Sequence, residues 1–146
     1  MEISAQYVIL PDLKMAIEYF SGQFNLNQMV DNHNTLLNDN ELRFNYNLIT
    51  DFRDSNHRVN PFDLLEYNTA MKSNSRFTDT RKIAILANTA NQGAVSYFYV
   101  RKLCKFQVEI EVFFNLKSAL EWLKLSTDHI DLIERIISKM KINTVV

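Results

Sequence analysis

The stretch that most constrains the fold is residues 47–54, in which an apolar strand runs directly into a charged tip. In a parallel α/β sheet, the carboxyl ends of the strands are where ligand sites are built. Asp51, Arg53 and Asp54 at this tip are therefore candidate ligand-binding residues for an anion or another polar group. A structural interpretation stays open beside it: Arg53 pairs with a carboxylate, and Asp51 accepts backbone N–H bonds that hold the turn.

Hydrophobic periodicity and turn signals predict five strands and five helices in the order ββαβαβαβαα. Residues 3–10 and 13–20 are predicted to pair as an antiparallel hairpin, because the Pro11-Asp12 turn leaves only a short link. The later strands alternate with helices over short links, which requires parallel neighbours joined by right-handed crossovers. These strands are predicted at 42–50, 83–87 and 108–114.

Capping signals place the helices between and after these strands. Asn25, Asn60 and Asn115 are predicted N-caps, and Ser126 or Thr127 is the predicted cap of the last helix. That last helix carries an apolar face at helical spacing, formed by Ile130, Ile133, Ile137 and Met140. The predicted helices are 25–37, 60–72, 91–105, 115–123 and 126–141.

Polar residues recur on one side of the predicted strands, which purely doubly wound sheets rarely show. We therefore expect most helices on one face of the sheet. The other face is expected to be partly solvated, partly covered by the last helix, or used in self-association. The polar positions are Lys14, Glu18, Asn45, Asn47, Glu109 and Glu111.

Three segments together resemble the SpoIIAA-like family, which is related to STAS domains and, more distantly in fold, to the lipid-binding SEC14 domains. They are the strand end Leu48–Asp54, the strand Arg81–Leu86, and the helix Ala119–Leu123 after an apolar fifth strand. The resemblance extends over about residues 3–125. It implies one α/β domain over residues 1–146, with a five-stranded mixed sheet in a (βα) superhelix and 126–141 as an additional helix.

The resemblance also implies a mostly uncharacterised, non-catalytic family. STAS antagonists carry a phosphorylatable serine at the start of the helix that follows the third strand. Here that helix is predicted to start Asn60-Pro61-Phe62-Asp63, which contains no hydroxyl. Ser55 is predicted to lie in the preceding loop, so a phosphorylation switch is not evident.

Charge and composition argue against several functions. The chain has 16 Lys and Arg against 17 Asp and Glu, and its net charge of -1 favours neither a nucleic acid nor an anionic membrane as partner. No apolar run reaches the length of a membrane span, so we expect a cytoplasmic protein without stable membrane insertion. With only Gly22 and Gly93, the chain contains neither a glycine-rich phosphate loop nor a Gly-x-Ser-x-Gly elbow.

No metal site and no cofactor are expected from the sequence. His33, His57 and His129 are scattered, and none has a His-x-x-x-His spacing. Cys104 is the single cysteine, which excludes an internal disulfide and a thiolate cluster. A lone cysteine in an amphipathic helix usually serves as a small buried apolar residue.

Two further groups are candidates for binding. Asn88 and Thr89 follow the next strand and are predicted to line the same crevice, where they can orient a ligand but supply no acid or base near neutral pH. The structural alternative is a turn that caps the third helix. Tyr97 and Tyr99 flank Phe98, and at least one of these rings should leave the core face, as interface, pocket lining or rim.

Three functional hypotheses remain open. The leading one is a non-enzymatic regulatory or protein-interaction domain that forms a homodimer. The second is a binding protein for a small apolar ligand or lipid, which requires an apolar cavity with few polar groups. The third is an enzyme that uses Asp51, Arg53 and Asp54, although no His, Lys or Cys stands at the same strand end.

Overall fold

The molecule is built on a five-stranded mixed sheet whose strand order in space follows the order in the chain. The computed structural model describes residues 4–23, 26–56, 81–92 and 108–144. The first two strands are antiparallel, and the others continue the sheet parallel to the second, so the predicted α/β class and pairing are confirmed. The strands are β1 (Ser4–Leu10), β2 (Met15–Gly22), β3 (Asn47–Ser55), β4 (Arg81–Leu86) and β5 (Val108–Phe113).

The hairpin link is slightly longer than predicted. Pro11–Leu13 forms a 3-10 turn, and Lys14 then adopts a left-handed conformation with φ 50°. The Lys14 N–H donates to the Pro11 carbonyl at 3.0 Å, which closes the turn. The second strand therefore begins at Met15, two residues later than the sequence pattern predicted.

The predicted bounds of the third strand were wrong. Residues 42–46 form a turn, in which Asn45 has φ 66° and the Tyr46 N–H donates to the Arg43 carbonyl. Leu42 and Tyr46 are buried because the turn packs against the core, which gave this segment the apolar content of a strand. The strand itself runs from Asn47 to Ser55, so the charged stretch is inside it.

The described helices are α1 (Leu26–Leu37), α2 (Leu116–Trp122) and α3 (Ile130–Thr144). Asn115 caps α2 as predicted, since its side chain accepts from the Ser118 N–H at 2.8 Å. Ser126 caps a 3-10 turn, Thr127–His129, and α3 begins only after that turn. Residues 90–92 are helical, whereas the helix predicted at 60–72 and the rest of 91–105 lie outside the described residues.

The described helices cover both faces of the sheet. α1 lies on one face, because His33 reaches Glu18 there. α2 and α3 lie on the opposite face, where Ile133 and Ile137 of α3 are fully buried in the same cluster as Ile17 of β2. Two of the alternatives for the second face are therefore observed: the last helix covers part of it, and Glu109 and Glu111 leave another part exposed. Self-association through this face stays a prediction.

The polar residues do not share one side of the sheet, so that expectation was wrong. Glu18 points toward α1 and is completely buried. Glu109 and Glu111 lie on the α3 side of β5 and are exposed, whereas Ile110 between them points to the opposite side. The Asn47 side chain accepts from the Lys82 N–H at 2.9 Å. Lys14 and Asn45 lie in turns outside the strands. The pairing across the sheet aligns Glu18 with Val112 of β5, which points away from the side of Glu109 and Glu111.

Candidate functional site

Asp51 and Arg53, two of the predicted site residues, pair with each other inside β3. The Asp51 side chain is fully buried, and one of its oxygens accepts from the Arg53 backbone N–H and Nε, both at 3.0 Å. Its other oxygen accepts from Arg53 Nη2 at 2.9 Å. The guanidinium therefore grips the carboxylate with two parallel bonds, a strong and geometrically specific arrangement.

Arg53 also joins the strand to the last helix. Its Nη1 donates to Oε1 of Glu134 in α3 at 3.2 Å. Burial alone would lower the pKa of the Arg53 guanidinium, but Asp51 and Glu134 more than offset that effect, and the pKa is raised. The residue is a permanent cation held between two carboxylates, so little of its charge is left for an external anion.

Asp54 reaches the same face because β3 contains a bulge. Tyr19 is paired with Asp51 and Ser21 with Asp54, so β3 has one more residue than β2 over this interval. In a regular strand, consecutive side chains point to opposite faces, whereas a bulge redirects one of them. Arg53 and Asp54 consequently both contact α3.

Asp54 forms a second link to α3. It accepts from the Tyr19 hydroxyl at 2.7 Å, and Lys141 Nζ lies 3.0 Å from the same oxygen. Burial on its own raises the pKa of Asp54, but the bonds from Tyr19 and Lys141 hold it below its usual range. The same contact acts oppositely on its partner: burial and the Asp54 carboxylate raise the pKa of Tyr19.

Asn88 and Thr89 come close to this segment, and both take part in a helix cap. The side chain of Gln92 accepts from the N–H groups of Asn88, at 2.6 Å, and Thr89, at 3.2 Å. Thr89 Oγ1 in turn accepts from the Gln92 N–H at 3.1 Å. This is the reciprocal arrangement of a capping box, and the Thr-x-x-Gln spacing at 89–92 is a sequence signal for it.

Gln92 ties this cap to the end of β3. Its Nε2 donates to the Ser55 carbonyl at 2.9 Å and to the Arg53 carbonyl at 3.3 Å. Asn88 Nδ2 lies 3.5 Å from the same Arg53 carbonyl. The predicted proximity of Asn88 and Thr89 to the β3 residues is therefore present, but Gln92, which the sequence analysis did not single out, makes the central contacts.

Two other sequence predictions can be placed. Ser55 is the last residue of β3 and not a loop residue, and its hydroxyl is buried and donates to the Phe52 carbonyl at 2.7 Å. The predicted loop position was wrong because the strand extends five residues further than expected. Tyr97 and Tyr99 lie outside the described residues, so the interface prediction for them stays a prediction.

A second charged cluster lies on the opposite face of the sheet, and the sequence analysis missed it. Glu18 is completely buried, with one oxygen 2.8 Å from His33 Nδ1 and 3.3 Å from the Thr50 hydroxyl. Its other oxygen accepts from Asn32 Nδ2 at 2.9 Å. Glu18 and His33 are 15 positions apart, so no local motif announces the pair.

Neither cluster gathers metal ligands. Within residues 4–23, 26–56, 81–92 and 108–144, no three His, Cys, Asp or Glu side chains stand close enough to hold a metal ion. Across the same ranges, no helix is both long enough and apolar enough to cross a membrane.

A solved structure with this architecture comes from Shewanella loihica PV-4, an uncharacterized protein of the DUF3478 family with a SpoIIAA-like fold. The match covers 83% of this chain and 93% of that chain, with a TM-score of 0.52 and 16% sequence identity. This chain therefore has the SpoIIAA-like fold that the resemblance implied. No family model and no curated protein matches the sequence.

Proposed function

We propose that this protein is a non-enzymatic regulatory or protein-interaction domain of the STAS-like type. The observation that carries the proposal is the burial of Asp51, whose side chain is fully buried and bound by Arg53. A catalytic acid or base must come within hydrogen-bond reach of the atom on which it acts. Asp51 lies on the α3 side of the sheet, and its partner Arg53 is bound in turn by Glu134 of α3. Because the Asp51 side chain is fully buried, a substrate cannot contact it in this conformation.

The charged residues of β3 serve instead to fasten α3 to the sheet. Arg53 contacts Glu134 and Asp54 contacts Lys141, so two ion pairs join β3 to the helix. The Met140 carbonyl also accepts from Gln6 Nε2 at 3.2 Å, which ties the same helix to β1. A helix held at several points favours a fixed outer surface, and a fixed surface suits recognition of another protein.

Regulation through Ser55 is not part of the proposal. Its hydroxyl is buried and already donates to the Phe52 carbonyl, so a kinase has no access to it without local unfolding. The start of the helix predicted after β3, where STAS antagonists carry their serine, contains no hydroxyl residue in 60–63. The proposed function therefore does not depend on phosphorylation of Ser55 or of the predicted helix start at 60–63.

Native mass spectrometry of the protein isolated from its own cells tests the proposal. We expect assemblies of protein chains with no small molecule retained. A bound apolar molecule of constant mass would overturn the proposal in favour of ligand binding. A chain that is always alone and empty would also contradict an interaction domain. The matched denaturing spectrum is the control, because it separates noncovalent ligands from covalent additions.

A further inference from the structure

We propose that the outer edge of β1 is a self-association surface, on which β1 of a second copy pairs in antiparallel orientation. The inference deepens the proposed function and rests on it, because it names one partner of the interaction domain. β1 and β5 are the two strands at the ends of the sheet order. Edge strands present unpaired backbone groups that another chain can bind.

β5 carries the features that discourage such pairing. Its sequence alternates with Glu109 and Glu111, and both side chains are exposed. When two copies of a strand pair in antiparallel orientation, a two-fold axis perpendicular to the sheet relates them. Residues opposite each other then lie on the same face of the sheet, so the axis lies between one residue and its own copy. An axis at Glu111 places that residue opposite itself, and an axis at Ile110 places Glu109 opposite Glu111. Like charges directly opposite each other are destabilising.

β1 carries none of these features. Its seven residues, Ser-Ala-Gln-Tyr-Val-Ile-Leu, include no charge, glycine or proline. Its register with β2 runs without a shift from Ser4 to Leu10, so no bulge turns the edge away. In the part of the chain that the structure describes, β1 pairs with β2 alone. Short length, charge, proline and bulges are four of the features that protect an edge, and the seven residues of β1 have none of them.

Side-chain contacts on both faces hold β1 in an extended, regular shape. The Tyr7 hydroxyl donates to Asp39 Oδ2 at 2.8 Å on the α1 side. On the α3 side, Gln6 donates to the Met140 carbonyl. A strand that is already fixed loses little conformational entropy when it pairs, which favours association.

The strand is complementary to itself about Tyr7. With the two-fold axis at this residue, Gln6 lies opposite Val8 of the second copy and Ile9 lies opposite Ala5, so all seven residues pair without opposing charges. Val8, Ile9 and Leu10 are half-buried in one copy, and the second copy would cover more of their apolar surface. The net charge of -1 per chain adds little repulsion between copies.

A contact of one strand pair is small, and small interfaces belong to weak complexes. Light scattering and sedimentation of the full chain should therefore show a monomer that becomes a dimer across micromolar concentrations. Ile9→Lys, which places a charge on the pairing edge, should lose the two-chain species. Val112→Lys is the matched control, because Val112 is also half-buried on an edge strand and should leave the dimer intact. A wild type that stays monomeric, or a dimer abolished by Val112→Lys alone, would overturn the proposal.

A cross-linking experiment covers the case in which Ile9→Lys fails to fold. In a Cys104→Ser background, Tyr7→Cys places two thiols opposite each other across the axis, at about 4.5–5.5 Å between Cα atoms, within disulfide range. Ile9→Cys is the control, since its two copies would be four residue spacings apart, on the order of 13 Å. Mild oxidation should yield a covalent dimer of Tyr7→Cys and little of Ile9→Cys. Equal yields would contradict the register.

The two proposals can fail separately. If β1 does not self-pair but native mass spectrometry shows assemblies with other proteins, the edge inference falls and the interaction domain stands. If an apolar molecule is retained while the Tyr7→Cys dimer forms, the proposed function falls and the edge inference stands as a description of oligomerisation.

Discussion

The two faces of the sheet each hold a charged cluster, and the clusters differ in their access to water. On the α1 side, Glu18 is 0% exposed and His33 is 6% exposed. On the α3 side, Asp51 is fully buried, but the side chains of Asp54 and Lys141 are 38% and 44% exposed. The Glu18–His33 pair is therefore buried, whereas the α3-side cluster extends from the buried Asp51 to a solvent-exposed rim formed by Asp54 and Lys141.

Because of this difference, contacts of the same type should contribute different amounts to the free energy of unfolding. Removing one partner of a buried hydrogen bond leaves the other group unsatisfied, at a cost of about 1–3 kcal/mol for each group, and Glu18 is the acceptor for three side chains. An exposed pair is screened by solvent and typically contributes about 0–1 kcal/mol. Glu18 should therefore matter most for stability, Asp51 next, and the Asp54–Lys141 pair least.

The largest effect is expected for Glu18→Ala. It removes the acceptor for His33, Asn32 and Thr50 together. Each buried group left without its partner costs about 1–3 kcal/mol, so we expect the free energy of unfolding to fall by more than it does when a single acceptor is lost. Urea denaturation measures it. Glu18→Gln is the control, because it keeps the shape and one acceptor oxygen and should lose less. A loss below about 1 kcal/mol for Glu18→Ala would show that the two clusters do not differ as argued.

A smaller loss is expected for Asp51→Ala. The change removes the acceptor of the Arg53 backbone N–H and leaves the guanidinium with Glu134 as its remaining carboxylate partner. The loss of such a buried acceptor typically costs about 1–3 kcal/mol. The melting midpoint of a domain of this size should fall by several degrees. Glu121→Ala, at an exposed position of α2, should leave it nearly unchanged. Unchanged melting of Asp51→Ala would instead indicate a carboxylate kept for function.

The contribution of the exposed Asp54–Lys141 pair to stability should be small and should depend on salt and pH. Lys141→Met should cost less than about 1 kcal/mol, and added salt should remove that difference. Because the pKa of folded Asp54 lies below its ordinary value of 3.8, its stabilising contribution is complete above that value and is lost as the pH falls through the folded pKa. Lys141→Met should therefore weaken the pH dependence of unfolding below about pH 4. A loss that is equally large in high salt would contradict a wet rim.

The smallest expected effect is that of nucleotides and phosphate esters, for which a thermal-shift screen should show no rise beyond noise. Arg53 is already engaged by Asp51 and Glu134, so it offers little to a phosphate group. The exposed Lys117→Ala variant is the control for nonspecific anion effects. A dose-dependent rise that Arg53→Ala abolishes and Lys117→Ala keeps would overturn both the internal pairing and the non-enzymatic proposal.

The α3-side cluster could be predicted in part from the sequence because its members in β3 are adjacent. Asp51, Arg53 and Asp54 lie within four positions, so their mutual pairing was open to inference. Their place inside the strand could not be inferred from the sequence, because charged residues usually end a buried strand. Here the contacts of Arg53 and Asp54 with α3 allow β3 to continue to Ser55.

The α1-side cluster could not be predicted. Glu18 looked like an exposed position of a half-polar strand, since alternation says only that it faces away from Ile17. Whether that side meets water or a helix depends on where α1 packs. His33 becomes a partner of Glu18 only through that packing.

Local chemistry in the sequence was sufficient for the hairpin, the Asn115 cap and the apolar face of α3, because these depend on neighbours within a few positions. The parallel order of the later strands followed from the alternation of strands and helices over short links. Tertiary structure alone decided the bulge in β3, the burial of Glu18, and the position of β1 and β5 at the two ends of the sheet order. These depend on residues far apart in the chain, and their energies come from burial and pairing that exist only once the sheet and helices have packed.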